Sequence, residues 1–120
     1  MVGVDDDLRV RESMERLMES AGYTPLVFPS GEEFLQSGTL TKAACLITDV
    51  RMPGIDGLEL QRRIRLVRPQ FPIIFLTAYY DEDTRRQALR GGAVAFMCKP
   101  FDTSALLSAI ERAVNESRSE

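Results

Sequence analysis

The chain has 120 residues and a mass of 13.5 kDa, which fits one domain and leaves little room for a second. Lys and Arg total 15 and Asp and Glu total 18, and the formal charge of −3 argues against direct, charge-driven nucleic-acid binding. The absence of histidine excludes Ser-His-Asp and Cys-His catalysis, a histidine general base and any His-containing zinc site made by this chain alone.

Met1–Val4 is a short apolar run that turns acidic at Asp5, unlike a signal or transit peptide. Leu8–Ala21 carries Val10, Met14, Leu17, Met18 and Ala21 at helical spacing. Gly22 follows as a helix stop. Thr24–Phe28 is expected to be a strand, and Ser30-Gly31-Glu32-Glu33 a capping box that opens a short helix to about Ser37. Ala43–Thr48 reads as a buried strand, and Asp49–Gly57 as a loop rich in Pro and Gly. Leu58–Val67 reads as a helix with Leu58, Ile64 and Val67 among its apolar positions, and Ile73–Leu76 as a strand. Asp81–Arg90 has acids at its start and Arg85, Arg86 and Arg90 towards its end, the polarity that suits a helix dipole. Gly91-Gly92 stops it, Ala93–Met97 is a fifth strand, and Asp102 caps a last helix to about Asn115. Glu116–Glu120 reads as a polar tail.

Two cysteines, Cys45 and Cys98, have apolar neighbours and read as reduced core thiols. The longest apolar runs are about six residues, far short of a membrane span, and the cytoplasm is the expected compartment. The cluster Arg62, Arg63, Arg65 and Arg68 reads as a solvated helix face.

Five βα units in a row imply a parallel sheet with right-handed crossovers and helices on both faces. The runs at 43–48 and 73–76 lack polar alternation, as expected of strands buried on both sides. Ligands in such sheets bind beyond the carboxyl ends of the strands. The first strand ends in Asp5-Asp6-Asp7, the third in Asp49 and the fourth in Thr77, and Lys99-Pro100 follows the fifth. Singly, each has an ordinary explanation: a solvated turn, loop chemistry, a turn cap, an exposed lysine. Asp7 is expected to be just an N-cap. Jointly they gather acids at one edge. Two like charges about 4 Å apart cost on the order of 4 kcal/mol at an effective dielectric near 20, so the cluster needs a cation. Oxygen ligands favour a hard divalent ion such as Mg²⁺. Acids, a hydroxyl and a lysine around such an ion suit phosphoryl chemistry, with Asp49 the candidate nucleophile and Asp5 and Asp6 the candidate metal binders.

The stretches Val4-Asp5-Asp6, Thr48-Asp49-Val50-Arg51-Met52-Pro53-Gly54, Gly57, Leu76-Thr77-Ala78, Gly91-Gly92-Ala93 and Lys99-Pro100-Phe101 resemble the receiver domain of bacterial two-component response regulators. The likeness covers residues 1–117. It is similar in style to the nitrogen-fixation regulator branch, whose receivers are often followed by a helix-turn-helix DNA-binding domain. Related receivers are also attached to sensor kinases. The resemblance implies a flavodoxin-like (βα)₅ fold, an α/β three-layer sandwich with sheet order 2-1-3-4-5. It implies Asp49 as phosphoacceptor, and Asp6 as direct ligand of Mg²⁺ (or Mn²⁺) with Asp5 acting mainly through water. It further implies the Arg51 backbone carbonyl as a metal ligand, Thr77 as switch hydroxyl, Lys99 as phosphate-binding lysine and Phe96 as aromatic switch. The side chains of Arg51 and Tyr79 stand where hydrolysis is tuned, and Tyr79 is expected to shield the acyl phosphate. A sensor histidine kinase would supply the phosphoryl group, which gives the missing histidine a home on the partner. The implied output is an effector domain, DNA-binding and outside this chain. Homodimerisation through the fourth helix, fifth strand and fifth helix would accompany phosphorylation. Residues 118–120 would be tail or the start of a linker.

The first strand is short and Gly3 interrupts it, which is compatible with residues preceding Met1. Tyr79-Tyr80 stands where this branch more often has a small or histidine-containing pair. A haloacid-dehalogenase-type phosphatase shares the aspartyl-phosphate and Mg²⁺ but needs an acid where Arg51 stands. A flavin carrier needs a phosphate-cradling first loop, which Asp5-Asp6-Asp7 would oppose. A receiver-like module that binds partners without phosphorylation would not need the full chemical set. The expectation is therefore a phosphoacceptor that assists its own phosphorylation and dephosphorylation, not a classical enzyme.

Overall fold

Short apolar runs make each strand, and each following helix lays one apolar stripe back on the sheet. A computed structural model of the chain describes residues 1–118. Its elements are β1 (Val2–Val4), α1 (Leu8–Ser20), β2 (Leu26–Phe28), α2 (Gly31–Gln36), a 3₁₀ turn (Thr39–Thr41), β3 (Leu46–Thr48), α3 (Gly57–Val67), β4 (Ile73–Thr77), α4 (Glu82–Arg90), β5 (Ala95–Cys98) and α5 (Thr103–Arg118). The five strands are parallel in the order β2-β1-β3-β4-β5, the flavodoxin-like order expected.

Alternate residues of the central strands serve two cores. Leu46, Ile73 and Phe75 point to the side of α2, α3 and α4, where they meet Phe34, Leu60, Ile64 and Ala88. Ile47, Ile74 and Leu76 point to the side of α1 and α5, where they meet Met14, Met18, Leu106 and Ile110. Each of these Leu, Ile, Phe and Met side chains contributes about 1.5–3 kcal/mol when fully buried. The three layers therefore follow from two-sided burial of β3 and β4.

Caps set the helix starts. Asp7 accepts the Arg9 N–H, Ser30 the Glu33 N–H, Asp56 the Glu59 N–H and Asp102 the Ala105 N–H. Gly22 and Gly92 stand after α1 and α4 at φ +88° and +90°, as the stop signals required.

Several local expectations are corrected. Ala21 is exposed because the chain turns away at the end of α1. β2 begins at Leu26, since Pro25 has no N–H to give the ladder. β3 begins at Leu46 because the 3₁₀ turn and its follow-on bonds occupy the approach. Val67 is 61% exposed, lying in the last turn of α3 beyond the buried face of Leu60, Gln61 and Ile64. β5 begins at Ala95, since the Ala93 N–H is held by the end of α4 through the Ala88 carbonyl. Gly3 does not interrupt β1. It pairs with Val27 and Ile47, and a Cβ there would lie 2.7 Å from Met14 Sδ, so it lets α1 pack close. Cys45 is buried but Cys98, the last residue of an edge strand, is exposed; neither is in a disulfide. Arg65 and Arg68 are not a solvated face. Arg65 donates to the carbonyls of Phe71, Gly91 and Gly92, and Arg68 to those of Leu40 and Ala43. α5 runs past Asn115 to Arg118 because no glycine or proline stops it. Ser119 and Glu120 of the expected tail lie outside the described residues. Among the described residues no helix is long and apolar enough to cross a membrane.

Candidate functional site

The parallel register brings four strand ends to one edge. Asp5 follows β1, and its N–H bonds the Phe28 carbonyl of β2. The Asp49 N–H bonds Val4 at 3.0 Å, and the Lys99 N–H bonds Thr77 at 2.7 Å. The sheet's own ladder thus fixes where these side chains start.

Asp5 is fully buried and Asp49 is 8% exposed, whereas Asp6 is exposed. One carboxylate oxygen from each of the three lies within 4.8 Å of the others. Lys99 Nζ bridges two of them, donating to Asp5 Oδ2 at 2.6 Å and Asp49 Oδ2 at 3.1 Å. The remaining oxygens are also held: Asp5 Oδ1 accepts the Asp7 N–H at 2.9 Å, and Asp49 Oδ1 the Val50 N–H at 2.6 Å. Arg11 steadies the strand end by donating to the Asp5 carbonyl at 2.8 Å.

Burial pushes the Asp5 carboxyl above its ordinary range, against the hydrogen bonds from Lys99 and the Asp7 amide. Burial pulls the Lys99 ammonium the other way, but its bonds to Asp5 and Asp49 and their charges outweigh that, and its pKa is raised. Lys99 is therefore firmly charged. One ammonium still leaves three carboxylates under-compensated. A hard, all-oxygen donor set with excess negative charge fits a small divalent cation.

Thr77 is buried beside this cluster, but its hydroxyl faces its own loop, accepting the Tyr79 N–H at 3.2 Å. Phe96 is half-buried on β5, its ring centroid 6.0 Å from Phe75 and 6.3 Å from Tyr80, which meets it edge-on. The Arg51 guanidinium lies 5.1 Å over the ring of Tyr79, which is 64% exposed. The structure thus gathers Asp5, Asp6, Asp49 and Lys99 directly, sets Thr77 and Phe96 on the neighbouring strands, and pairs Arg51 with Tyr79. Beside Lys99 an open groove of about 660 Å³ runs between Arg9, Val10 and Ser13 of α1 and Pro100 and Phe101.

Sequence reasoning missed three contributors. Arg11 and Tyr80 carry no pattern that reveals their partners. Glu32 sits in the expected capping box, which gives it no partner outside its own helix; its Oε2 accepts the Ile55 N–H of the loop after β3.

A model of the response regulator receiver domain matches residues 2–111. The transcriptional regulatory protein FixJ of Bradyrhizobium diazoefficiens is 36% identical over 113 residues, which are 94% of this chain and 55% of FixJ. The DNA-binding transcriptional regulator NtrC of Escherichia coli K12 is 38% identical over 112 residues, 93% of this chain and 24% of NtrC. The beryllofluoride-activated NtrC4 receiver domain dimer superposes with a TM-score of 0.90 at 28% identity, covering 97% of this chain and 96% of that one. The chain spans about half the length of FixJ and a quarter of NtrC.

Proposed function

Because the chain belongs to the response regulator receiver domain family, we propose that it is a phosphoacceptor whose reacting atom is a carboxylate oxygen of Asp49. The observation that carries this is the joint placement of the Asp5, Asp6 and Asp49 carboxylates within 4.8 Å with Lys99 bridging two of them.

Asp49 attacks the phosphorus of a phosphohistidine on a partner kinase. The P–O bond to Asp49 forms, the P–N bond breaks, and the imidazole leaves to take its proton from solvent. Asp5, Asp6, Asp49 and the Arg51 carbonyl would hold Mg²⁺ or Mn²⁺. When bound, the ion offsets the crowded carboxylates and the charge on the phosphoryl oxygens. Lys99 already reaches Asp49, so a small rotation passes its ammonium from the carboxylates to a phosphoryl oxygen. Thr77 exchanges the Tyr79 amide for the same group. The inward turn of Thr77 frees the space into which Phe96 rotates, away from the edge of Tyr80.

The conformational change is a population shift. Moving an equilibrium from 1:99 to 99:1 needs about 5.5 kcal/mol of differential binding. New charge-assisted bonds from Lys99 and Thr77, at about 1.5–3 kcal/mol each, are of the right size. The face of α4, β5 and α5 reads out the change, as the dimer surface and towards an effector, DNA-binding as in the regulator NtrC. Residues 1–117 would be the receiver, with any effector beyond them. Arg51 and Tyr79, stacked together, screen the acyl phosphate and set its lifetime. The chain assists its own phosphorylation and dephosphorylation without being a classical enzyme, and it works in the cytoplasm.

The test is incubation with acetyl phosphate, with and without Mg²⁺, followed by intact mass. One phosphoryl group, dependent on Mg²⁺ and removed by hydroxylamine, is expected. An adduct that forms equally in chelator contradicts the proposal.

A further inference from the structure

The connection from β3 to α3 closes on itself where the Gly57 N–H donates to the Val50 carbonyl at 2.7 Å. Its tip is gripped from a different element. Glu32, in the first turn of α2, accepts the Ile55 N–H on Oε2 at 3.1 Å. The grip uses room that a side chain would fill: a Cβ on Gly54 would lie 2.0 Å from Oε2. Gly54 also has φ +80°, a conformation that costs glycine least. α2 does not need this carboxylate for its own start, since Ser30 Oγ already caps the Glu33 N–H. Among the described residues, Glu32 Oε1 is a buried oxygen without a hydrogen-bond partner, and burying such a group is costly. A glutamate kept at a cost, aimed at a neighbouring loop, points to a task in that loop.

We propose that Glu32 is a positioning residue for the cation site: by holding Ile55 it orders residues 50–57 and so aims the Arg51 carbonyl. This rests on reading Asp5, Asp6, Asp49 and the Arg51 carbonyl as the ligand set. A carbonyl on a loose loop must be ordered when the ion binds, which weakens binding. Glu32 does that ordering in advance, from an element that contributes no ligand.

Mg²⁺ is titrated calorimetrically into the full chain as wild type, Glu32→Ala and Glu32→Gln, and hydrogen exchange of the Ile55 amide is followed without metal. Glu32→Ala is expected to weaken Mg²⁺ binding about tenfold, the low end for groups that orient a metal ligand, and to speed Ile55 exchange. Glu32→Gln keeps an acceptor oxygen and is expected to preserve both. Gly54→Ala, whose Cβ displaces the carboxylate, is expected to match Glu32→Ala. Unchanged Mg²⁺ affinity in Glu32→Ala overturns the inference and leaves the cation site standing. Equal losses in Glu32→Gln and Glu32→Ala overturn it as well, because the acceptor is then not what acts. If Glu32→Ala does not fold, wild-type affinity in Gly54→Ala overturns it. Wild-type protein that binds no Mg²⁺ removes the cation site and the inference with it.

Discussion

At the residue scale the site is a controlled electrostatic conflict. Asp6 shows it most simply, because it is exposed and yet its carboxylate stands within 4.8 Å of Asp5 and Asp49. Lys99 relieves Asp5 and Asp49, and among the described residues it makes no ion pair with Asp6. Asp6→Asn should therefore raise the urea midpoint of the metal-free protein by removing one repelling charge. It should also abolish stabilisation by Mg²⁺, which in wild type amounts to about 2.7 kcal/mol at a hundredfold excess over Kd. Urea unfolding with chelator and with Mg²⁺ checks both halves; a destabilised metal-free Asp6→Asn would contradict the first. Tyr79 makes the second prediction at this scale. Its ring is stacked under Arg51 rather than buried, so its proposed screening role is separable from support of the core. Tyr79→Ala should speed loss of the phosphoryl group in the presence of Mg²⁺ and leave thermal stability close to wild type. An unchanged dephosphorylation rate would show that the stacked pair does not screen the acyl phosphate.

At the scale of elements, α4 stands out by how little holds it. Ala88 is its buried residue, and Leu89 is 38% exposed. Polar bonds from α3 supply what apolar contacts do not: Gln61 Nε2 donates to the Ala88 carbonyl at 2.9 Å, and Arg65 reaches the carbonyls of Gly91 and Gly92. These ties grip the C-terminal end of α4, the end away from Tyr80 and Thr77, which suits the proposed shift of this element on phosphorylation. Arg65→Ala should cost about 1.5–3 kcal/mol, the range for hydrogen bonds from a charged donor, measured by urea unfolding. A change near zero would mean the clamp is idle. Helix starts were legible because a cap is local: Ser30 and Asp102 announce themselves within three residues. The roles of Arg65 and Arg68 were not, because their acceptors lie 25 to 28 residues away for Arg68 and at Gly91 and Gly92 for Arg65, and a run of arginines on a helix looks the same whether it faces water or carbonyls.

At the scale of the whole molecule, the order of βα units and the doubly buried strands made the layered sheet legible, since burial on both faces leaves few alternatives for β3 and β4. The site followed from it, because a parallel sheet must bring Asp5, Asp49, Thr77 and Lys99 to one edge. What stayed hidden is relative orientation: that Thr77 faces Tyr79, that Arg51 lies on Tyr79, and that Glu32 crosses to Ile55. Those are choices among rotamers and loop paths, decided by packing that no local pattern encodes. The central claim is that chemistry at this edge converges on one carboxylate. Reduction with borohydride after acetyl phosphate and Mg²⁺ converts an aspartyl phosphate to homoserine, and peptide mass spectrometry then reads the position. Homoserine at position 49 alone, and none in Asp49→Asn, is the predicted result. Homoserine at position 5 or 6, or its persistence in Asp49→Asn, would contradict the account.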